Sequence, residues 1–168
     1  MAKKYGFIDK SGKVVIEPQF DRAGSFIEGF AHVKKDGKWG YIDESGKMVI
    51  EPQFDNVSAF SEGLAQVEKD GKYYFLDKNG KVVFELSKYD YVNVGDFSEG
   101  LAQVRKDYKS GFIDKSGKVV IEPQFNDVSF FSEGLARVAI EVEGGVGDVQ
   151  ITIQGRRITT FSFACLDD

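Results

Sequence analysis

The chain is poor in the residues that most often make chemistry. Its 168 residues include one cysteine, Cys165, so no internal disulfide can form and a cysteine-rich metal site is excluded. There is one histidine, His32, and a His-based ligand cluster cannot be built from it alone. No apolar run approaches the ~20 residues that span a bilayer. The opening MAKKYGFIDK has no apolar segment behind its lysines, so the chain as given reads as cytoplasmic, or as a domain excised from an exported or cell-surface parent. Positive charge is also short: 22 Lys and Arg against 27 Asp and Glu leave a net −5, which disfavours a phosphate backbone as partner. Nucleotide fingerprints, a nucleophile elbow and a P-loop are absent. With only 3 prolines but 19 glycines and 14% aromatics, the composition points to strands joined by tight turns.

What is present is repetition. GFIDKSGKVVIEPQF stands at 6–20 and again, unchanged, at 111–125. FIEGFA at 26–31 is followed by FSEGLA at 60–65, 97–102 and 131–136. The markers Asp9, Asp43, Asp77 and Asp114 are spaced 34, 34 and 37 apart, a period of 34 with three residues inserted in the third copy. A fixed period of this size means stacked supersecondary units. Each unit reads as β: KWGYID, KMVIE and LAQVEK are short, rich in β-formers and bounded by turn residues. Asp70-Gly71 marks a two-residue hairpin, and Asp43-Glu44-Ser45-Gly46 suits a type I turn followed by a left-handed glycine. Glu51-Pro52 is expected to end the ladder, since proline has no N–H to donate.

The fold expected is all-β: four three-stranded antiparallel meanders at about 3–34, 35–68, 69–105 and 106–140, forming an open twisted array or solenoid. Propeller-like or barrel-like closure is the alternative. In 141–168 a glycine-rich connection leads to a hairpin around Gln154-Gly155, expected to cap the array, with Cys165 a small buried hydrophobe.

The pattern Lys-Trp-Gly-Tyr-Ile-Asp, Gly-Lys-x-Val-Ile-x-Pro-x-Phe-Asp and Phe-Ser-Glu-Gly-Leu-Ala-x-Val resembles the bacterial WG repeat over about residues 3–140. The name-giving pair appears as Tyr5-Gly6, Trp39-Gly40, Tyr73-Tyr74 and Ser110-Gly111. The resemblance implies a β-rich repeat module, usually without enzymatic assignment, and does not imply a ligand. A more local likeness links DGKYYFLDKNGKVV, 70–83, to the aromatic hairpins of bacterial cell-wall and choline-binding repeats.

Turn type sets an expected register. Lys35 faces Lys38 and Val33 faces Gly40 across the first hairpin. Across the second, Ile42 faces Met48, Tyr41 faces Val49, Gly40 faces Ile50 and Trp39 faces Glu51. One face then holds Ala31, Val33, Gly40, Ile42, Met48 and Ile50; the other is mixed and carries Trp39 and Tyr41. Gly6, Gly40 and Gly111 are expected as dips, each covered by a phenylalanine from the set Phe20, Phe54, Phe125 and their neighbours such as Phe60. Tyr5, Trp39 and Tyr73 oppose Glu17, Glu51 and Glu85 in a row that could bind a cation, sugar or peptide. Tyr89, Asp90, Tyr91 and Asn93 are further candidate contacts, on the enlarged loop 87–96.

Repeated Asp and Glu are read as turn residues, because calcium loops need alternating oxygen ligands that are missing here. His32, at a position that takes Gln66, Gln103 and Arg137 elsewhere, is read as a solvated edge. Tyr108, in place of a turn glycine, is expected to change its turn. No cofactor, metal or catalytic residue is expected. The function expected is non-catalytic binding or scaffolding, with another protein as partner and a glycan as the alternative, in a monomer or weak oligomer.

Overall fold

The computed structural model describes residues 1–86, 95–141, 146–153 and 156–164, the last two stretches as strands. Tyr89, Asp90, Tyr91, Asn93, Cys165 and the Gln154-Gly155 turn lie outside the described residues. The chain divides into two units, Met1–Leu86 and Ser87–Asp168.

Unit 1 contains β1 (Tyr5–Ile8), β2 (Val14–Phe20), β3 (Arg22–Ala23), β4 (Phe30–Lys35), β5 (Lys38–Asp43), β6 (Met48–Phe54), β7 (Asn56–Val57), β8 (Leu64–Lys69), β9 (Lys72–Asp77) and β10 (Val82–Glu85). Unit 2 contains β11 (Leu101–Lys106), β12 (Lys109–Asp114), β13 (Val119–Phe125), β14 (Asp127–Val128), β15 (Val138–Ala139), β16 (Val146–Ile153) and β17 (Arg156–Ala164). Every strand pairing is antiparallel, and no helix occurs among the described residues. The sheets run β1-β2, β3-β4-β5-β6 and β7-β8-β9-β10 in unit 1, and β11-β12-β13-β16-β17 and β14-β15 in unit 2; none closes on itself. The C-terminal hairpin forms, and it joins the last large sheet edgewise, through Ile121 opposite Ile153.

The turns obey their chemistry. Asp36-Gly37 and Asp70-Gly71 hold φ near +50° and +80°, the two left-handed positions of a type I′ hairpin turn. Tyr108 does not change its turn: it takes φ 63° in the glycine's place, behind Asp107 at 49°. Ser-Glu-Gly-Leu, replaced by Ile27-Glu28-Gly29-Phe30 in the first copy, makes a second tight turn in each copy, with Glu28, Glu62, Glu99 and Glu133 at φ 49–53°. In the wider hairpin the Asp43 N–H donates to the Lys47 carbonyl and Gly46 sits at φ 84°.

The first-hairpin register is as expected, from Phe30 opposite Asp43 to Lys35 opposite Lys38. The second is not. Ile42 opposes Met48, but Tyr41 opposes Ile50, and Trp39 opposes Phe54. Val49 is bulged out of the ladder, and Gly40 then faces three residues, Glu51, Pro52 and Gln53. Proline therefore does not end the strand; it lies in the bulge, where no donor is required. The dip at Gly40 holds backbone, not a phenylalanine: a Cβ there would meet the Ile50 carbonyl oxygen and stand 2.7 Å from Pro52 N, where real Cβ atoms keep at least 3.0 Å. Gly6 and Gly111 stand 2.6 Å by the same measure from Pro18 N and Pro123 N. In the third copy, where Tyr74 replaces the glycine, the second bulge is gone and Tyr74 pairs directly with Glu85.

The bulge at Val49 also moves Ile50 to the other side of its sheet. Ala31, Val33 and Ile42 pack with Ile16 and Phe20 of the preceding sheet. Tyr41, Ile50 and Phe54 pack with Ala65, Val67 and Leu76 of the following sheet and with Phe60 on its β7–β8 loop. The middle sheet of unit 1, β3-β4-β5-β6, is thus buried on both faces, so the face expected to be mixed and half-wet is a second interior. The Tyr41 hydroxyl donates to the Ser58 carbonyl at 2.7 Å, and burial pushes its pKa up.

Candidate functional site

Three places were candidates for contact with something outside the chain: the aromatic row, the repeated acids, and the ends of the array.

The aromatic row is not an aromatic–carboxylate stripe. The bulges place Phe20, Phe54 and Phe125 opposite Tyr5, Trp39 and Ser110, and Glu17, Glu51 and Glu122 fall within the bulged segments. In the third copy it is Tyr74, not Tyr73, that opposes Glu85, which also lies 3.7 Å from Lys72 Nζ. Trp39 is half-buried against the cluster of Tyr41, Ile50 and Phe54. Its ring lies 5.3 Å from the His32 ring, and Lys34 Nζ stands 5.8 Å from it. The indole surface is therefore engaged by its own sheet.

His32 is not a solvated edge. Its ring rests on Gly24, where a Cβ would lie 2.7 Å from Nδ1. Nδ1 is buried without a hydrogen-bond partner among the described residues, and burial lowers the imidazole pKa. In the next sheet, β7-β8-β9-β10, the corresponding positions, including Ser58, Gln66 and Tyr73, leave an open recess of about 140 Å³ also lined by Asn56, Val57, Val67 and Glu68. Small-molecule sites usually offer ~300–1,000 Å³. Several of the recess's polar groups are already paired: Gln66 N–H donates to Ser58 Oγ at 2.9 Å, and Asn56 Nδ2 to Glu68 Oε2 at 2.6 Å. The recess is visible in the sequence only after alignment of the copies, as the place where His32 and Trp39 become Gln66 and Tyr73.

The acids have internal work. Asp43 Oδ1 accepts from Ser45 N–H at 2.9 Å, Ser45 Oγ at 2.6 Å and Lys47 N–H at 3.0 Å, and Asp9 and Asp114 repeat the pattern. Those bonds, the serine hydroxyl's first, hold the three carboxyls below their usual pKa. The Ser-Glu-Gly glutamates tie consecutive copies together, a role the sequence did not reveal: Gly63 N–H donates to Glu28 Oε2 at 3.0 Å, and Gly134 N–H to Glu99 Oε2 at 2.9 Å. Among the described residues no three His, Cys, Asp or Glu converge on a possible metal position.

The last copy differs. Val33, Val67 and Val104 are at most 1% exposed, whereas Val138, in the same repeat position, is 40% exposed. Leu135 is 76% exposed, where its counterpart Leu64 is 8%. Phe130 is 68% exposed. In earlier copies a KWGYID-type strand follows and covers this position. Here β15 pairs with β14 alone among the described residues. Ser129 N–H and Asn126 N–H donate to the carbonyls of Arg137 and Ala139, so alternation turns the backbone groups of Ala136 and Val138 outward.

A family model described as "WG containing repeat" matches residues 5–39, 39–73, 75–109 and 111–141. No curated protein matches the chain. No solved structure matches it.

Proposed function

Starting from the fact that the chain belongs to the WG repeat family, we propose that it is a non-catalytic binding or scaffold module whose partner is a protein. The observation that carries the reading is the outer edge of β15, unpaired among the described residues, with exposed Phe130, Leu135 and Val138 near it in sequence. Exposed apolar side chains beside a free strand edge favour addition of an extended segment from another protein. The turn duties of the repeated aspartates and the small, largely self-paired recess speak against catalysis and against an enclosed small-molecule site.

The carbohydrate reading rests on Tyr5, Trp39 and Tyr73. It has less support, because Trp39 is engaged by its own sheet, though Tyr5 is 45% exposed. The immobilised chain, probed with cell extract and in parallel with a glycan array, separates the two. A protein retained by the wild type and lost with Leu135→Lys is the expected result. Glycan binding lost with Tyr5→Ala, without such a protein, would select the carbohydrate module.

A further inference from the structure

We infer that the partner of this edge is a second copy of the same chain, docked head to tail so that β1 of one copy pairs with β15 of another. The inference rests on the reading of β15 as a binding edge and names what fills it.

The two ends are halves of one hairpin. Strands β4, β8 and β11 each pair with the strand that follows, β5, β9 and β12. β15 belongs to the first class and lacks such a neighbour, while β1 belongs to the second class and pairs only with β2 among the described residues. The interface already exists within the chain. Residues 6–20 are identical to 111–125, and in that second place Gly111, Phe112, Ile113 and Asp114 pair with Val104, Gln103, Ala102 and Leu101. Leu135, Ala136 and Val138 repeat Leu101, Ala102 and Val104. The same register sets Leu135 against Asp9 of the second copy, Ala136 against Ile8, Arg137 against Phe7, Val138 against Gly6 and Ala139 against Tyr5.

Burial and charge agree with that register. Ile8 is 66% exposed, whereas its counterparts Ile42 and Ile113, which have the neighbour, are 0% exposed. The internal hairpins set two lysines opposite each other, Lys35 with Lys38 and Lys106 with Lys109. At the open end Ile140 replaces that first lysine, so the like-charge pair is absent. The Glu28–Gly63 and Glu99–Gly134 ties also have a next member: Glu133 would accept from Gly29 of the second copy. Because the two surfaces differ, the contact is heterologous and can propagate beyond a dimer.

Ile8→Lys blocks one end and Val138→Lys the other; both side chains are exposed in the single chain, so both variants should fold. Sedimentation velocity over a range of concentrations should show wild type forming species larger than a dimer. Each variant alone should remain monomeric, and a mixture of the two should give a 1:1 dimer and nothing larger. A wild type that stays monomeric at every soluble concentration overturns the inference, as does self-association that survives either substitution. If the chain is monomeric while Leu135-dependent capture of a different protein persists, the inference falls and the binding reading stands.

Discussion

At Gly40 a hydrogen in place of a side chain decides the course of the next strand. The β6 backbone closes over it, and only with that approach can Pro52 remain in the sheet. Gly40→Ala should therefore cost about 2 kcal/mol or more, because the obstructing atoms are main chain and cannot swing aside; urea unfolding measures it. The need for a glycine was legible in the sequence, from its place in a run of β-formers. Its reason was not, because nothing in residue types tells a phenylalanine ring from a backbone as the thing that occupies the dip. His32 was misplaced for a related cause: Gln and Arg at the equivalent positions imply water, whereas Gly24 makes room here for a packed ring. The folded-state pKa of His32 is lowered by burial from 6.5. Between that lowered value and 6.5 the unfolded chain binds the extra proton. Stability is thus full above about pH 6.5 and falls as pH drops through that window. His32→Gln should flatten this slope, read as the difference in urea midpoints between the two proteins across the window.

At the scale of the element, turns were the most readable part. Asp-Gly and Ser-Glu-Gly dictate positive φ locally, and the structure obeys. Tyr108 shows that the surrounding strands impose the turn even on an unsuitable residue, since it holds φ 63° while 86% exposed. Tyr108→Gly should stabilise the protein by about 1 kcal/mol, by relieving left-handed strain that costs most L-residues ~1–2 kcal/mol, and a rise in thermal midpoint would report it. The bulges were the least readable part. Counting outward from a turn assumes one residue against one, but the extra residue at Val49 shifts Tyr41 by one place and the three residues opposite Gly40 carry Trp39 three places on, to Phe54. The first bulge sent Ile50 to the opposite interior, and the two together undid the expected pairing of Trp39 with Glu51. The third copy carries its own record of the rule: without the glycine and the proline, Tyr74 and Glu85 pair directly.

For the molecule as a whole, the period of 34 announced stacking, and in unit 1 the stacking is what buries both faces of the middle sheet. The ends were legible only as interruptions of the pattern. That one end is bare among the described residues follows from where the C-terminal hairpin goes: it joins β13 and not β15. The central claim is that the β15 edge receives a strand from another copy. Amide hydrogen exchange at Ala136 and Val138, whose backbone groups face outward, tests it without any substitution. Both amides should exchange rapidly in dilute protein and become protected as concentration rises, while the amides of Val33 and Val67, which face strands already in place, stay protected throughout. Exchange at Ala136 and Val138 that does not change with concentration would contradict the account.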